Sequence, residues 1–194
     1  MPISSVFFHR SDKTAAREKL GLPTEKKIYL IMTGGIGCGD ALALCNALRA
    51  VPDEKSLIVV LTGRNEELRA SLAANFDETD GVKSVPFTDQ VALYMSAADV
   101  LLSKAGGISS SEAVACGIPL VHTMTIPGVE TLNAEFFARH GMSYFAGNVD
   151  QAARFADRLI YDPAAAEQML AAQRKCIAHD GATRIVESIE SDFR

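Results

Sequence analysis

Leu101-Leu102-Ser103-Lys104-Ala105-Gly106-Gly107-Ile108-Ser109-Ser110-Ser111-Glu112-Ala113-Val114-Ala115-Cys116-Gly117-Ile118-Pro119 is the stretch that decides the fold. An apolar strand runs into a Gly-Gly turn. A helix over 110–116 follows, opening on serines and Glu112 and stopped by Gly117 and Pro119. The start of a helix presents unpaired N–H groups and a partial positive charge, which attract anions. Gly106 and Gly107 let backbone approach a ligand closely. Glu112, one turn in, is placed to accept hydrogen bonds from a pair of sugar hydroxyls. Together these features read as a pocket for a nucleoside diphosphate.

Outward from this stretch, apolar runs alternate with helix-period segments. Strands are predicted at 28–32, 57–61, 82–87, 100–102, 120–122 and 143–146. Helices are predicted at 40–50, 66–76, 91–95 and 130–140, the last ending at Gly141, and then over 150–176 and 183–191. This alternation predicts an α/β protein, a Rossmann-like doubly wound parallel sheet with helices on both faces. Continuous apolar strands fit a sheet buried on both sides. Ligands of such sheets bind beyond the carboxyl ends of the strands. The segments 34–39, 63–65, 106–107 and 127–128, each containing glycine, fall at those ends.

The 194 residues suffice for one domain with a substantial core. A hydrophobic fraction of 48% with 22% charged residues is that of a globular protein, and no apolar run is long enough for a membrane span. The net charge of −5 argues against a general nucleic-acid partner, which needs clustered Lys and Arg. The N-terminus has no signal-peptide pattern. Cys38, Cys45, Cys116 and Cys176 lack metal-ligand spacing and read as reduced cytoplasmic thiols; the histidines are equally dispersed, so no metal site is expected.

Each candidate site also has a plainer explanation. Gly34-Gly35-Ile36-Gly37-Cys38-Gly39 is either a tight turn or a flexible loop near a phosphate. It is neither a clean G-x-G-x-x-G nor a P-loop. An NAD site also wants an acid after the second strand, where Gly63-Arg64-Asn65 stands instead. Ser109-x-x-Glu112 matches a capping box, which leaves Lys104 to Gly107 unexplained. Lys104 is a phosphate counter-charge or a solvated lysine. Glu130 and Asn133 share a face opposite an apolar face of Val129, Leu132, Phe136 and Phe137; that polar face looks onto the crevice or onto solvent. Tyr94 and Met95 are core or pocket wall, and His122 is a packed histidine. No Asp-x-Asp metal clamp and no nucleophile–base set is present.

On these residues the chain resembles the C-terminal, donor-binding half of GT-B glycosyltransferases. The likeness is nearest to the monogalactosyldiacylglycerol synthase and processive diacylglycerol glucosyltransferase group, and more distant to the lipid II-forming N-acetylglucosaminyltransferase. The matching segments are 32–37, 63–65, 85–89, 98–107 and 126–134, within about residues 3–145. The resemblance implies a UDP-sugar donor, UDP or UDP-sugar as ligand, and no separate cofactor. Phe87 and its neighbours would hold uracil, and Glu112 the ribose. The helix start at Gly106, Gly107, Ile108, Ser109 and Ser110 would hold the diphosphate, with Gly35, Ile36 and Gly37 covering it. Arg64, Lys104 and Gly128 complete the donor set, and Glu130 and Asn133 would lie near the hexose. Transfer would invert the anomeric centre without an essential metal. Val129 departs from the usual glutamine of Gly-Gln-Glu, and Pro86 from a common glycine of the uracil loop.

The resemblance further implies that residues 1–25 are a remnant of an interdomain linker and lead-in, and 26–194 the nucleotide-sugar donor-binding domain. The N-terminal acceptor domain, which carries the general base and meets the lipid acceptor, is expected to be absent from this chain. The catalytic base would then lie elsewhere, and the chain alone would have little or no transferase activity. The expected setting is cytoplasmic, with peripheral membrane association in the complete enzyme. Two alternatives are a donor-binding subunit or degenerate UDP-binding module needing a separate acceptor-domain partner, and a UDP-N-acetylglucosamine epimerase-like domain.

Overall fold

The computed structural model describes residues 3–33, 41–50, 56–76, 81–123, 128–176 and 181–192. Among the described residues there are six strands: β1 (Lys27–Met32), β2 (Ser56–Gly63), β3 (Val82–Pro86), β4 (Val100–Ser103), β5 (Leu120–His122) and β6 (Tyr144–Phe145). The α-helices are α1 (Lys13–Leu20), α2 (Ala41–Arg49), α3 (Glu66–Asn75), α4 (Val91–Ala97), α5 (Gly107–Cys116), α6 (Val129–Arg139), α7 (Val149–Tyr161), α8 (Pro163–Cys176) and α9 (Gly181–Asp192). All strands pair in parallel, in the order β3-β2-β1-β4-β5-β6. This is the expected Rossmann-like doubly wound α/β fold.

The side-chain period of two divides each strand between two cores. Ile28, Leu30, Val59, Leu61, Leu101 and Leu120 face a core completed by α1, α4 and α5. Tyr29, Ile31, Ile58, Val60, Leu102 and Val121 face a second, completed by α2 and α7. The chain leaves β3 at one sheet edge and returns at β4, beside β1. A crevice therefore opens at the carboxyl ends of β1 and β4, where the strand order reverses.

Three elements differ from the sequence expectation. α1 forms where no element is predicted, capped by Asp12, whose carboxylate accepts from the Ala15 N–H, and ended by Gly21 in the left-handed region. The helical stretch 150–176 is two helices, because Asp162 accepts from the Ala164 and Ala165 N–H groups and Pro163 starts a new helix. α5 begins at Gly107 rather than at residue 110.

α1 is secured by a buried charge cluster at the amino edge of the sheet. The Asp99 carboxylate accepts from the Ile28 N–H at 2.7 Å, from Arg17 at 2.8 Å and from Lys13 at 2.7 Å. Arg17, 5% exposed in its side chain, also donates to the carbonyls of Ala97, Thr24 and Lys26. Burial alone would raise the Asp99 pKa, but these hydrogen bonds and the two cations hold it below the usual value.

Asp99→Ala is expected to cost about 3–5 kcal/mol, because it leaves Arg17 buried without its partner; the urea midpoint at pH 7 measures this. The Asp99 pKa is lower folded than unfolded. Its contribution is thus full above about pH 4 and is lost as pH falls through the folded value.

Candidate functional site

The carboxyl ends of β1, β2 and β3 enclose a cavity of about 220 Å³ with the first turns of α4 and α5. Met32, Leu61, Gly63, Pro86, Phe87, Thr88, Val91 and Ser109 line it. Its walls are mainly apolar, as suits a flat ring. At its mouth Phe87 is 62% exposed, and the Arg64 guanidinium lies 4.8 Å from its ring centroid. The local chemistry of 63–65 makes this contact. Pairing between β2 and β3 shifts register between Leu61 and Gly63, and Asn65 caps α3 by accepting from the Leu68 N–H. Arg64 is held between these two fixed points.

Beside the cavity stands the start of α5. Its N-cap is Gly106, and no side chain caps it. The N–H groups of Gly107, Ile108 and Ser109 have no acceptor within the helix, and the Ser110 N–H is the first to close a turn, on the Gly106 carbonyl at 2.9 Å. Gly106 has φ −68° and ψ 131°, a conformation open to any residue, and a Cβ there would meet nothing within 4 Å. Serine is a better N-cap than glycine. Folding therefore does not require glycine at 106, and the space its missing side chain leaves is open for a ligand. Gly128, the N-cap of α6, differs: its φ of 102° suits glycine alone.

Several sequence-predicted residues are placed differently from expectation. The Ser109–Glu112 capping box does not form, because the helix already begins at Gly107. Glu112 is thereby free of that role; it is half-buried, one turn beyond Ser109, and burial raises its pKa. Ser110 leaves the ligand-facing set: it is fully buried, and its hydroxyl lies 2.9 Å from His122 Nε2. Lys104 is neither free nor solvated, since its ammonium meets the Glu130 carboxylate at 2.6 Å. Asn133 donates to the Ala105 carbonyl at 3.1 Å.

The expected apolar face of α6 is split. Glu130, Asn133, Ala134 and Phe137 turn inward, whereas Leu132 and Phe136, expected on the apolar inner face, are 64% and 47% exposed. Gly35, Ile36 and Gly37 lie outside the described residues, as does the side chain of Val129. Pro86 lines the cavity, and Tyr94 and Met95 lie in the core. Sequence reasoning missed Met32, Leu61 and Val91 as cavity walls; their place at strand and helix ends was the available signal. Among the described residues no cluster of His, Cys, Asp and Glu suits a metal ion, and no helix is long and apolar enough to cross a membrane.

His122 is fully buried, with Nδ1 3.1 Å from the Ser143 hydroxyl and its ring edge-on to Phe137 at 5.6 Å. Burial lowers its pKa to about 4.

Gly106→Ser is expected to leave stability unchanged or raise it by up to about 1 kcal/mol, since capping improves and the unfolded chain loses freedom. Gly128→Ser is expected to lower it by about 1–3 kcal/mol, since φ is positive; thermal melts compare the two. His122 has a lower pKa folded than unfolded, so its contribution is full above about pH 6.5 and fades as pH falls toward 4, by about 3 kcal/mol in all. Urea melts between pH 7 and 4.5 should therefore show a shallower acid loss for His122→Gln than for the parent chain.

A family model described as "Glycosyl transferases group 1" matches residues 12–176. A processive diacylglycerol beta-glucosyltransferase of Bacillus pumilus is 31% identical over 172 residues, covering 87% of this chain and 44% of that protein. The chain spans about half the length of the curated relatives it matches. The crystal structure of Acinetobacter baumannii MurG aligns with TM-score 0.68 at 19% identity, over 98% of this chain and 57% of that one. The S. aureus MnaA–UDP co-structure aligns with TM-score 0.71 at 18% identity, over 93% of this chain and 49% of that one. The shared fold is the Rossmann-like half of a GT-B protein. With the matched segment running from α1 through α8, the chain belongs to the glycosyl transferases group 1 family.

Proposed function

We propose that this site binds the UDP moiety of a UDP-sugar and serves an inverting, metal-independent hexosyl transfer to a lipid acceptor. The observation that carries the proposal is Gly106, a glycine that the fold does not need, set before the open N–H groups of α5 and beside an apolar cavity. In this reading uracil enters the cavity beside Phe87 and Arg64. Glu112 accepts from the ribose hydroxyls. The N–H groups of Gly107, Ile108 and Ser109 meet the diphosphate, and Gly35, Ile36 and Gly37 cover it. Gly128, Glu130 and Asn133 border the hexose, with Lys104 held by Glu130.

The chemistry follows from this arrangement. The acceptor oxygen attacks the anomeric carbon opposite the leaving group. The bond from that carbon to the β-phosphate oxygen breaks, and its electron pair leaves with UDP. The negative charge that develops there is stabilised by the helix start, which is already oriented toward it. The proton of the acceptor hydroxyl passes to a general base that is not assigned to this chain. The lipid acceptor and membrane association are inferred from the diacylglycerol glucosyltransferases it resembles. One helix start contributes about 0.3–2 kcal/mol, whereas micromolar binding needs about 8 kcal/mol. Base and ribose contacts must supply much of the affinity.

Thermal shift against UDP, ADP, GDP and NAD tests the proposal. At 100 times its dissociation constant UDP should add about 2.7 kcal/mol of stability. That gain should shrink in Gly106→Ser and Glu112→Ala, while the ligand-free melt of Gly106→Ser is not lowered. Selectivity for NAD, or no response to any nucleotide, would overturn the assignment.

A further inference from the structure

We propose that His122 is a positioning residue: it sets the rotation of the first turn of α5, and through it the placement of the N–H groups at the helix start. The geometry rests on a contrast between neighbouring serines. Ser111 turns its hydroxyl back onto its own helix, donating to the Gly107 carbonyl at 2.8 Å. Ser110, also buried, reaches away from the helix to His122 Nε2 at the end of β5. The other ring nitrogen meets Ser143, just before β6. A bridge thus runs from the helix start, through the ring, to the chain after α6. Both partners are hydroxyls, which donate or accept, so either neutral tautomer is satisfied at both ends.

The bridge acts where rotation matters. Ser110 follows directly after Gly107, Ile108 and Ser109, whose N–H groups have no acceptor within the helix. The N–H groups run along the axis and are spaced about 100° apart around it, so a small turn about the axis shifts where all three meet a ligand. α6 restrains the same loop from another side, through Asn133 on the Ala105 carbonyl and Glu130 on Lys104. Phe137 of that helix packs edge-on against the His122 ring. The ring therefore joins the two helices that border the crevice. That it serves diphosphate binding rests on the function proposed above; that it orients the α5 turn does not.

Three variants test the proposal, read by UDP affinity and by amide hydrogen exchange in the ligand-free chain. His122→Phe keeps a ring but removes both hydrogen bonds. His122→Gln places an amide near the Nε2 position and keeps the link to Ser110. His122→Asn places one near Nδ1 and keeps only the link to Ser143. The Phe and Asn variants should bind UDP more weakly by about two- to thirtyfold, the range that a misdirected helix start allows. Exchange at the Ser110 amide, which donates to the Gly106 carbonyl, should quicken in both, and the Gln variant should recover affinity and protection. A generic packing role predicts instead that affinity follows melting temperature across all three, which would overturn the proposal. Unchanged exchange at the Ser110 amide in His122→Asn would also overturn it. If the parent chain binds no UDP, the function proposed above fails, and the exchange comparison still decides the role of His122. If His122→Phe does not fold, the Gln and Asn pair carries the test.

Discussion

The pairing of β1 with β4 is the constraint on which the rest of the structure depends. Asp99 and Ile28 lock it at the amino edge through reciprocal hydrogen bonds: the Asp99 N–H donates to the Ile28 carbonyl, and the Ile28 N–H donates to the Asp99 carboxylate. Once these strands are neighbours, the β3-to-β4 connection must cross the sheet, and the loops after β1 and β4 must diverge to opposite faces. A crevice at the carboxyl edge follows from that topology. The charge cluster around Asp99 and the start of α5 thus lie at opposite ends of one short strand, Val100–Ser103. The first fixes its register, and the second uses it.

Within the crevice, the described polar groups are mostly committed to one another. Lys104 holds Glu130, Asn133 holds the Ala105 carbonyl, and Ser110 holds His122. The backbone at the helix start is an exception, since the α-helix provides no acceptor for its first N–H groups. Such an arrangement stiffens the surroundings of a few dipoles rather than offering many independent contacts. It is the kind of support that electrostatic stabilisation of a leaving group needs, because dipoles already oriented need not reorganise during the reaction.

Much of this was legible in the sequence, for identifiable reasons. Strands buried on both faces appear as unbroken apolar runs, so Ile28 to Met32 and Leu57 to Leu61 declare themselves. The loops at their ends declare themselves through glycine. What escaped were features decided by tertiary partners. α1 carries few apolar residues and is secured through Arg17, whose burial depends on Asp99, far away in the chain; only Asp12 and Gly21 marked its ends locally. On α6 Phe137 is buried as its apolar pattern suggests, but Leu132 and Phe136, which look equally like core residues, are exposed, because Glu130 and Asn133 turn inward to the loop after β4. The Ser109–Glu112 pattern suggested a cap in the wrong turn, since α5 already begins at Gly107.

The Lys104–Glu130 pair has a consequence for how a ligand arrives. It leaves this part of the crevice locally near neutral, on a chain whose net charge is −5. Helix-start dipoles act over about the first turn and no farther. An anion approaching through solvent is therefore not drawn in by a long-range field; it is recognised on contact. Raising the ionic strength, which screens distant charges most, should then not slow its capture, unlike proteins that gather phosphates with lysine-rich surfaces.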